Sequence, residues 1–235
     1  MFFIVNKMKL TEIIRKQKGE PFIVQPTNYP EENEPDTTPT YLPPCTLALV
    51  IINVILFLIT DFSDMFSLSS RLFNHGALSW QSVIYDKEYY RLITCMFLHD
   101  GVDHIFNNMI VLYLMGSYLE QHVGSLRYLV IYFSSGILAG CTSMVYNMVQ
   151  NAYISSVGAS GAIFGLTGGI LGVVLLQRKN GRDMDLKRLI LAIFLSLYSG
   201  FMEPYVDNAA HVGGFVAGFL ITIILCFRER QDNPS

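Results

Sequence analysis

The sequence predicts an all-α membrane protein, a bundle of six transmembrane helices. Of its 235 residues 51% are hydrophobic and only 15% charged, and the mean hydropathy is +0.39, far from soluble usage. Apolar runs of bilayer length recur along the chain, and basic residues cluster in alternate connections. The net charge of −3 is uninformative about nucleic acid, but no basic patch interleaved with aromatics appears, and nucleic acid is not expected as a partner. Cys45, Cys95, Cys141 and Cys226 have neither metal-ligand nor disulfide-framework spacing and read as small buried hydrophobes.

Residues 1–40 are polar, rich in Pro and Glu towards their end, and read as a flexible segment. The opening MFFIVNKMKL puts its apolar residues before its charges, the reverse of a secretory signal. Residues 41–60 carry no charge and form the first span, and 61–100 are a mixed loop holding the single tryptophan, Trp80. The second span runs from about His104 to Leu119. Residues 128–177 contain no charged side chain and make two spans, broken at NMVQN, 147–151. A short fifth span covers 189–202, and a sixth covers 208–227, ending at Arg228. Helices are the expected form, because backbone groups in hydrocarbon must be satisfied within their own segment. Three regions result: a flexible cytoplasmic segment, 1–40; a six-helix membrane domain, 41–228; and a short cytoplasmic tail, 229–235.

Orientation follows from charge. With the N-terminus inside, the inner connections hold Arg127, Arg178, Lys179, Arg182, Lys187, Arg188, Arg228 and Arg230, whereas the outer ones hold Arg71, Lys87 and Arg91. Both termini are therefore expected in the cytoplasm. Spans two, four and six then run inwards. Ser160 precedes Arg178 by 18 residues and His211 precedes Arg228 by 17, so both sit about 25 Å above the inner edge. His104 and, one turn on, Asn108 reach a similar depth in the second span. Intramembrane polar groups of this kind face a bundle interior or a water-filled cavity.

Small residues explain how these helices meet. Gly161, Gly165 and Gly169 recur every fourth residue, and Gly214 and Gly218 repeat the pattern three residues after His211. Such stripes permit close backbone approach. If they face each other, Ser160 and His211 come within hydrogen-bonding reach. A serine hydroxyl is a weak nucleophile until a base takes its proton, and histidine is the usual base. Ser160 also opens a helix, whose first N–H groups lack intrahelical partners. Those donors, the Asn108 amide and the His104 ring suit a developing oxyanion. Asp207 is the only acid near His211 in sequence and lies towards the outer boundary, so a Ser-His dyad is the simpler reading.

GASG at 158–161, HIFNN at 104–108 and AAHVGGFVAG at 209–218 resemble the signature motifs of rhomboid intramembrane serine proteases. The resemblance covers residues 41–228, with all three motifs on the expected spans in the expected order. It implies a compact six-helix rhomboid-type core with Ser160 as nucleophile and His211 as general base. It further implies an oxyanion site of the Ser160 N–H, His104 and Asn108, with Gly158 shaping the substrate-side wall. Transmembrane protein substrates within the lipid bilayer are the implied partners, and neither cofactor nor metal is implied. Arg91 matches the arginine of the family's Trp-Arg loop motif, although Tyr90 stands in for the tryptophan. Glu120 and Gly124 match a Glu…Gly pair after the second span, with Gln121 where an arginine is common. His99 resembles a further family histidine and reads as structural.

Blander roles compete for each residue. GASG suits helix packing, His211 suits an interhelical hydrogen bond, and His104 and Asn108 suit bonding to each other. Arg91 and Glu120 read as anchors, while His75 and His122 read as solvated. A client-binding rhomboid relative without activity would lack the serine or the histidine, and both are here. A transporter would carry intramembrane charge through both leaflets, whereas GGILGVVLL and GFLITIIL look sealed. Short tails and the lack of a targeting segment point to a bacterial plasma membrane.

Overall fold

Pro44 opens the first long helix, where its missing N–H is no loss and the chain turns into an uncharged run. The computed structural model describes residues 42–62, 68–177 and 206–232. The segment 1–40, the expected fifth span at 189–202 and the basic cluster Arg178, Lys179, Arg182, Lys187 and Arg188 lie outside the described residues. Within them the long helices are α1 (Pro44–Phe62), α5 (Val102–Val123), α6 (Ser125–Val149), α7 (Ser160–Gln177) and α8 (Asn208–Asp232).

The connection expected as a mixed loop is largely helical. It holds α2 (Leu68–Gly76), α3 (Trp80–Ile84), α4 (Arg91–Thr94) and a tight one-turn helix, Cys95–Phe97. Each is too short to stand alone, and side chains pin the region. The buried Arg91 guanidinium donates to the carbonyls of Asn74 and Ala77, both at 2.7 Å, and pairs with Glu88 at 2.6 Å. That arginine holds the Glu88 carboxyl below its ordinary range. Trp80 donates its indole N–H to the Ala152 carbonyl at 2.9 Å.

Helix boundaries extend beyond those expected. The second span reaches Val123 rather than Leu119, because it is bounded by Gly101 (φ +94°) and Gly124 (φ +80°), both in backbone that favours glycine. The break between the third and fourth spans falls at residues 150–159, since Asn147 is buried inside α6. The last helix continues past Arg228 to Asp232, through residues expected to be tail.

α7 is the central helix, with Ala162, Ile163, Phe164, Leu166, Ile170 and Val173 all buried. A helix apolar all round belongs in a core or a membrane. Its largest interface is with α8, and it also touches α6 and α5. The outward faces are apolar too. Ile51, Ile55, Leu58 and Ile59 on α1, Phe106 and Leu114 on α5, and Val216, Leu220 and Ile224 on α8 are exposed. Exposed apolar rows of this extent mark a surface that faces lipid rather than water. Ser125–Val149 and Asn208–Cys226 are long and apolar enough to cross a bilayer, and Pro44–Thr60 and Ser160–Leu176 are shorter apolar helices.

Candidate active site

The two glycine stripes meet along the α7–α8 seam. A methyl placed on Gly214 would lie 2.0 Å from the Gly161 carbonyl oxygen, and one on Gly218 only 1.9 Å from that of Gly165. Backbone therefore packs on backbone, closer than any other residue allows. Gly161 itself packs on Ala139, and Gly165 on Ser135, both of α6.

That approach brings the first residue of α7 to the first turn of α8. Ser160 Oγ lies 3.0 Å from His211 Nε2. For Nε2 to accept the hydroxyl proton, the neutral ring must carry its own on Nδ1. Nδ1 is buried and has no hydrogen-bond partner among the described residues. The Asp207 carboxylate does not supply one. Its Oδ1 accepts from the Ala210 N–H at 3.0 Å, and its Oδ2 accepts from the hydroxyls of Ser156, at 2.6 Å, and Ser143. Among the described residues the contact is that of a serine–histidine pair without a third member. The His211 ring is instead held by stacking on Phe164, with centroids 4.2 Å apart and planes 22° from parallel. Phe164 did not figure among the expected site residues, although its place four residues after Ser160 puts it on the same face of α7.

His104 and Asn108 line the other side of Gly158. A methyl on that glycine would lie 2.8 Å from His104 Nε2 and 3.5 Å from Asn108 Nδ2, and its φ of +120° excludes most side chains. The Gly158 N–H donates to the Cys95 carbonyl at 2.9 Å, and Leu78 and Ser156 exchange two backbone hydrogen bonds. The strand-like segment before Ser160 is thereby tied to the first connection. His104 Nδ1 accepts from the Asp100 N–H at 3.4 Å, which leaves the ring proton on Nε2, facing Gly158. Asn108 Nδ2 is buried with no acceptor among the described residues. Two side-chain donors thus converge beside the Ser160 helix start.

His99 sits behind them, its ring edge-on to His104 at 5.1 Å and both nitrogens buried. Burial, then the neighbouring His104, push its pKa down to about 4. A small cavity of about 30 Å³ adjoins Ser160, lined among others by Met96, Gly136, Ala139, Ser143, Ser156 and Asp207. Cys95 lines it too, but burial pushes its thiol up to about 12, so it stays protonated. Arg91 and Glu120 lie away from the dyad, the first in the loop clamp described above. Glu120 accepts from the Cys45 and Thr46 N–H groups, the Thr46 hydroxyl and the Ser125 hydroxyl, at 2.7–3.0 Å, and so caps the start of α1.

Comparison with known proteins shows the family of the chain. The model of the rhomboid domain matches residues 86–228. RHOMBOID-like protein 7 of Arabidopsis thaliana is 37% identical over 166 residues, covering 70% of this chain and 51% of that protein. Rhomboid protease GluP of Bacillus subtilis is 32% identical over 183 residues, covering 78% and 35%. Inactive RHOMBOID-like protein 8 of Arabidopsis thaliana is 37% identical over 174 residues, covering 71% and 47%. The chain spans about half the length, or less, of these relatives. Most of the similar proteins named are from a plant, so the expected bacterial plasma membrane gains no support from them. With the matched domain spanning residues 86–228 and holding all three motifs around Ser160, this helical membrane chain belongs to the rhomboid family.

Proposed function

We propose that this chain is an intramembrane serine endopeptidase that cleaves transmembrane proteins in or near their membrane segment. The observation that carries the reading is the 3.0 Å contact between Ser160 Oγ and His211 Nε2, beside a buried amide donor with no acceptor among the described residues. His211 takes the Ser160 proton as the hydroxyl attacks a peptide carbonyl. The tetrahedral oxyanion is held by the Ser160 N–H, Asn108 Nδ2 and His104 Nε2, and Gly158 leaves room for it. The leaving amine takes its proton from His211, and water then hydrolyses the acyl-enzyme. A continuous substrate helix hides its carbonyls in its own hydrogen bonds, so cleavage requires local unwinding near helix-destabilising residues. The membrane domain is 41–228, with the flanking segments 1–40 and 229–235 in the cytoplasm on the charge argument.

A second reading is a non-cleaving binder of transmembrane clients, favoured by the relative named as inactive. Labelling of the detergent-solubilised chain by a fluorophosphonate separates the two. The protease reading expects labelling that disappears in Ser160→Ala and His211→Ala proteins. A folded wild type that takes no label would leave the binder.

A further inference from the structure

The Ser160–His211 contact is one rung of a ladder between α8 and the chain that leads into α7. Inward of it Gly161 meets Gly214 and Gly165 meets Gly218, backbone against backbone. Outward of it the next rung is made by side chains. Ser156, four residues before Ser160, donates its hydroxyl to Asp207 Oδ2 at 2.6 Å, and Asp207 lies four residues before His211. Both rungs join residues 51 apart in sequence, so the two segments run in step past the dyad. Asp207 immediately precedes α8 and caps it, accepting from the Ala210 N–H at 3.0 Å through Oδ1. Its main-chain carbonyl accepts from the His211 N–H at 3.1 Å. The Ser143 hydroxyl of α6 also donates to Oδ2, and Ser143 in turn accepts from Asn147 Nδ2 at 3.3 Å. Ser143, Ser156 and Asp207 thus form the polar wall of the cavity beside Ser160. The backbone bonds of Ser156 and Gly158 reach Leu78 and Cys95, and the Asp207 carboxylate links that segment to α8.

We propose that Asp207 is a positioning residue for the dyad, fixing the outer side of the Ser160–His211 contact as the glycine seam fixes the inner side. The proposal rests on the protease reading. Ser160 opens α7 and His211 lies in the first turn of α8, so the glycine contacts hold the pair from below only. A displacement of about 1 Å is enough to take a nucleophile out of line with its base. The bond from Ser156 and the cap on Ala210 hang on one carboxylate, both strengthened by its charge. Neither segment therefore shifts without the other.

Fluorophosphonate labelling of the solubilised full chain, followed over a range of probe concentrations, separates the limiting rate from the half-saturating concentration. In Asp207→Ser a short hydroxyl still caps Ala210 but cannot reach Ser156. Its limiting rate per folded molecule, with the folded fraction read from a melting curve, is expected to fall at least about tenfold at an unchanged half-saturating concentration. Ser156→Ala should lose rate in the same direction. The double variant should lose no more than Asp207→Ser alone, since both changes remove one tie. Asp207→Asn should recover the rate to within about threefold of wild type, because its amide oxygen keeps the cap and its two N–H groups match the two hydroxyl oxygens. A wild-type limiting rate in folded Asp207→Ser overturns the proposal, as do losses that multiply in the double variant. Asp207→Asn as slow as Asp207→Ser overturns it too, since the effect would then lie in the charge and not in the tie. If Asp207→Ser does not fold, Ser156→Ala decides, and a wild-type rate there overturns the proposal. Absence of labelling in a folded wild type sinks the protease reading itself, a result distinct from all of these.

Discussion

Two helix seams in this molecule are built by opposite means. Along α7–α8 the chain removes side chains until carbonyl oxygens lie within 2 Å of where a methyl would be, at Gly214 and Gly218. Between α1 and α5 it adds them: Glu120, fully buried, reaches from the end of α5 to cap the start of α1 with four hydrogen bonds. The first seam carries Ser160 and His211, and the second is remote from them. Backbone contact fixes the spacing of two helices with no rotamer to relax, which suits a dyad that must hold 3.0 Å. A side-chain clamp tolerates small shifts, because hydrogen bonds at 2.7–3.0 Å re-form after one. The site stands on the seam with less freedom.

The comparison predicts unequal damage. Gly218→Val is the most severe change, since its side chain meets the Gly165 backbone rather than a flexible side chain. A loss of more than about 3 kcal/mol is expected, with labelling of Ser160 lost alongside the melting transition. A Gly218→Val protein that melts and labels like wild type would mean that the seam opens without harm. Glu120→Gln should cost about 2–3 kcal/mol, the worth of charge-assisted bonds made to a buried carboxylate. Its folded fraction should label at the wild-type rate. A labelling rate that falls in step with stability would show that the clamp also controls the dyad.

Much of this contrast is legible in the sequence, and the remainder is not for identifiable reasons. Fourfold spacing of Gly161, Gly165, Gly214 and Gly218 is a local signal, as is the depth that sets Ser160 level with His211. The bond from Asp207 to Ser143 spans 64 residues and that to Ser156 spans 51. No periodicity relates positions that distant, so the polar wall of the cavity emerges only from the packing. Stacking of Phe164 on His211 is intermediate: the i, i+4 relation to Ser160 was available, but an aromatic in an apolar helix carries no mark of its partner. The helices within 61–100 leave no mark in the sequence because their stabilisation lies in tertiary bonds such as those of Arg91, not in propensity.

Gly158 lies between the two extremes, close to the dyad but in a connecting segment. Its φ of +120° and the 2.8 Å approach to His104 Nε2 make Gly158→Ala a strain of about 1–3 kcal/mol. The strain falls directly on His104 and Asn108. Activity should therefore drop further than stability, at least about tenfold in labelling rate. Proportionate losses would mean that the two donors do not act on the oxyanion.

The smallest effect belongs to His99, packed behind His104. Its pKa is lowered from 6.5 to about 4 by burial first, so the folded state resists a proton that the unfolded chain accepts. Stability from the neutral ring is present above pH 6.5 and is lost as pH falls towards 4. At about pH 5.5 the loss is about 1 kcal/mol. It should appear as a lower melting temperature in the wild type and shrink in His99→Phe, whose ring fills the same space and never titrates. Glu120→Gln should leave this pH dependence in place, because His99 packs at the start of α5 and Glu120 lies near its end. A pH response that vanishes in Glu120→Gln but persists in His99→Phe would move the titrating group from the start of α5 to the clamp at its end.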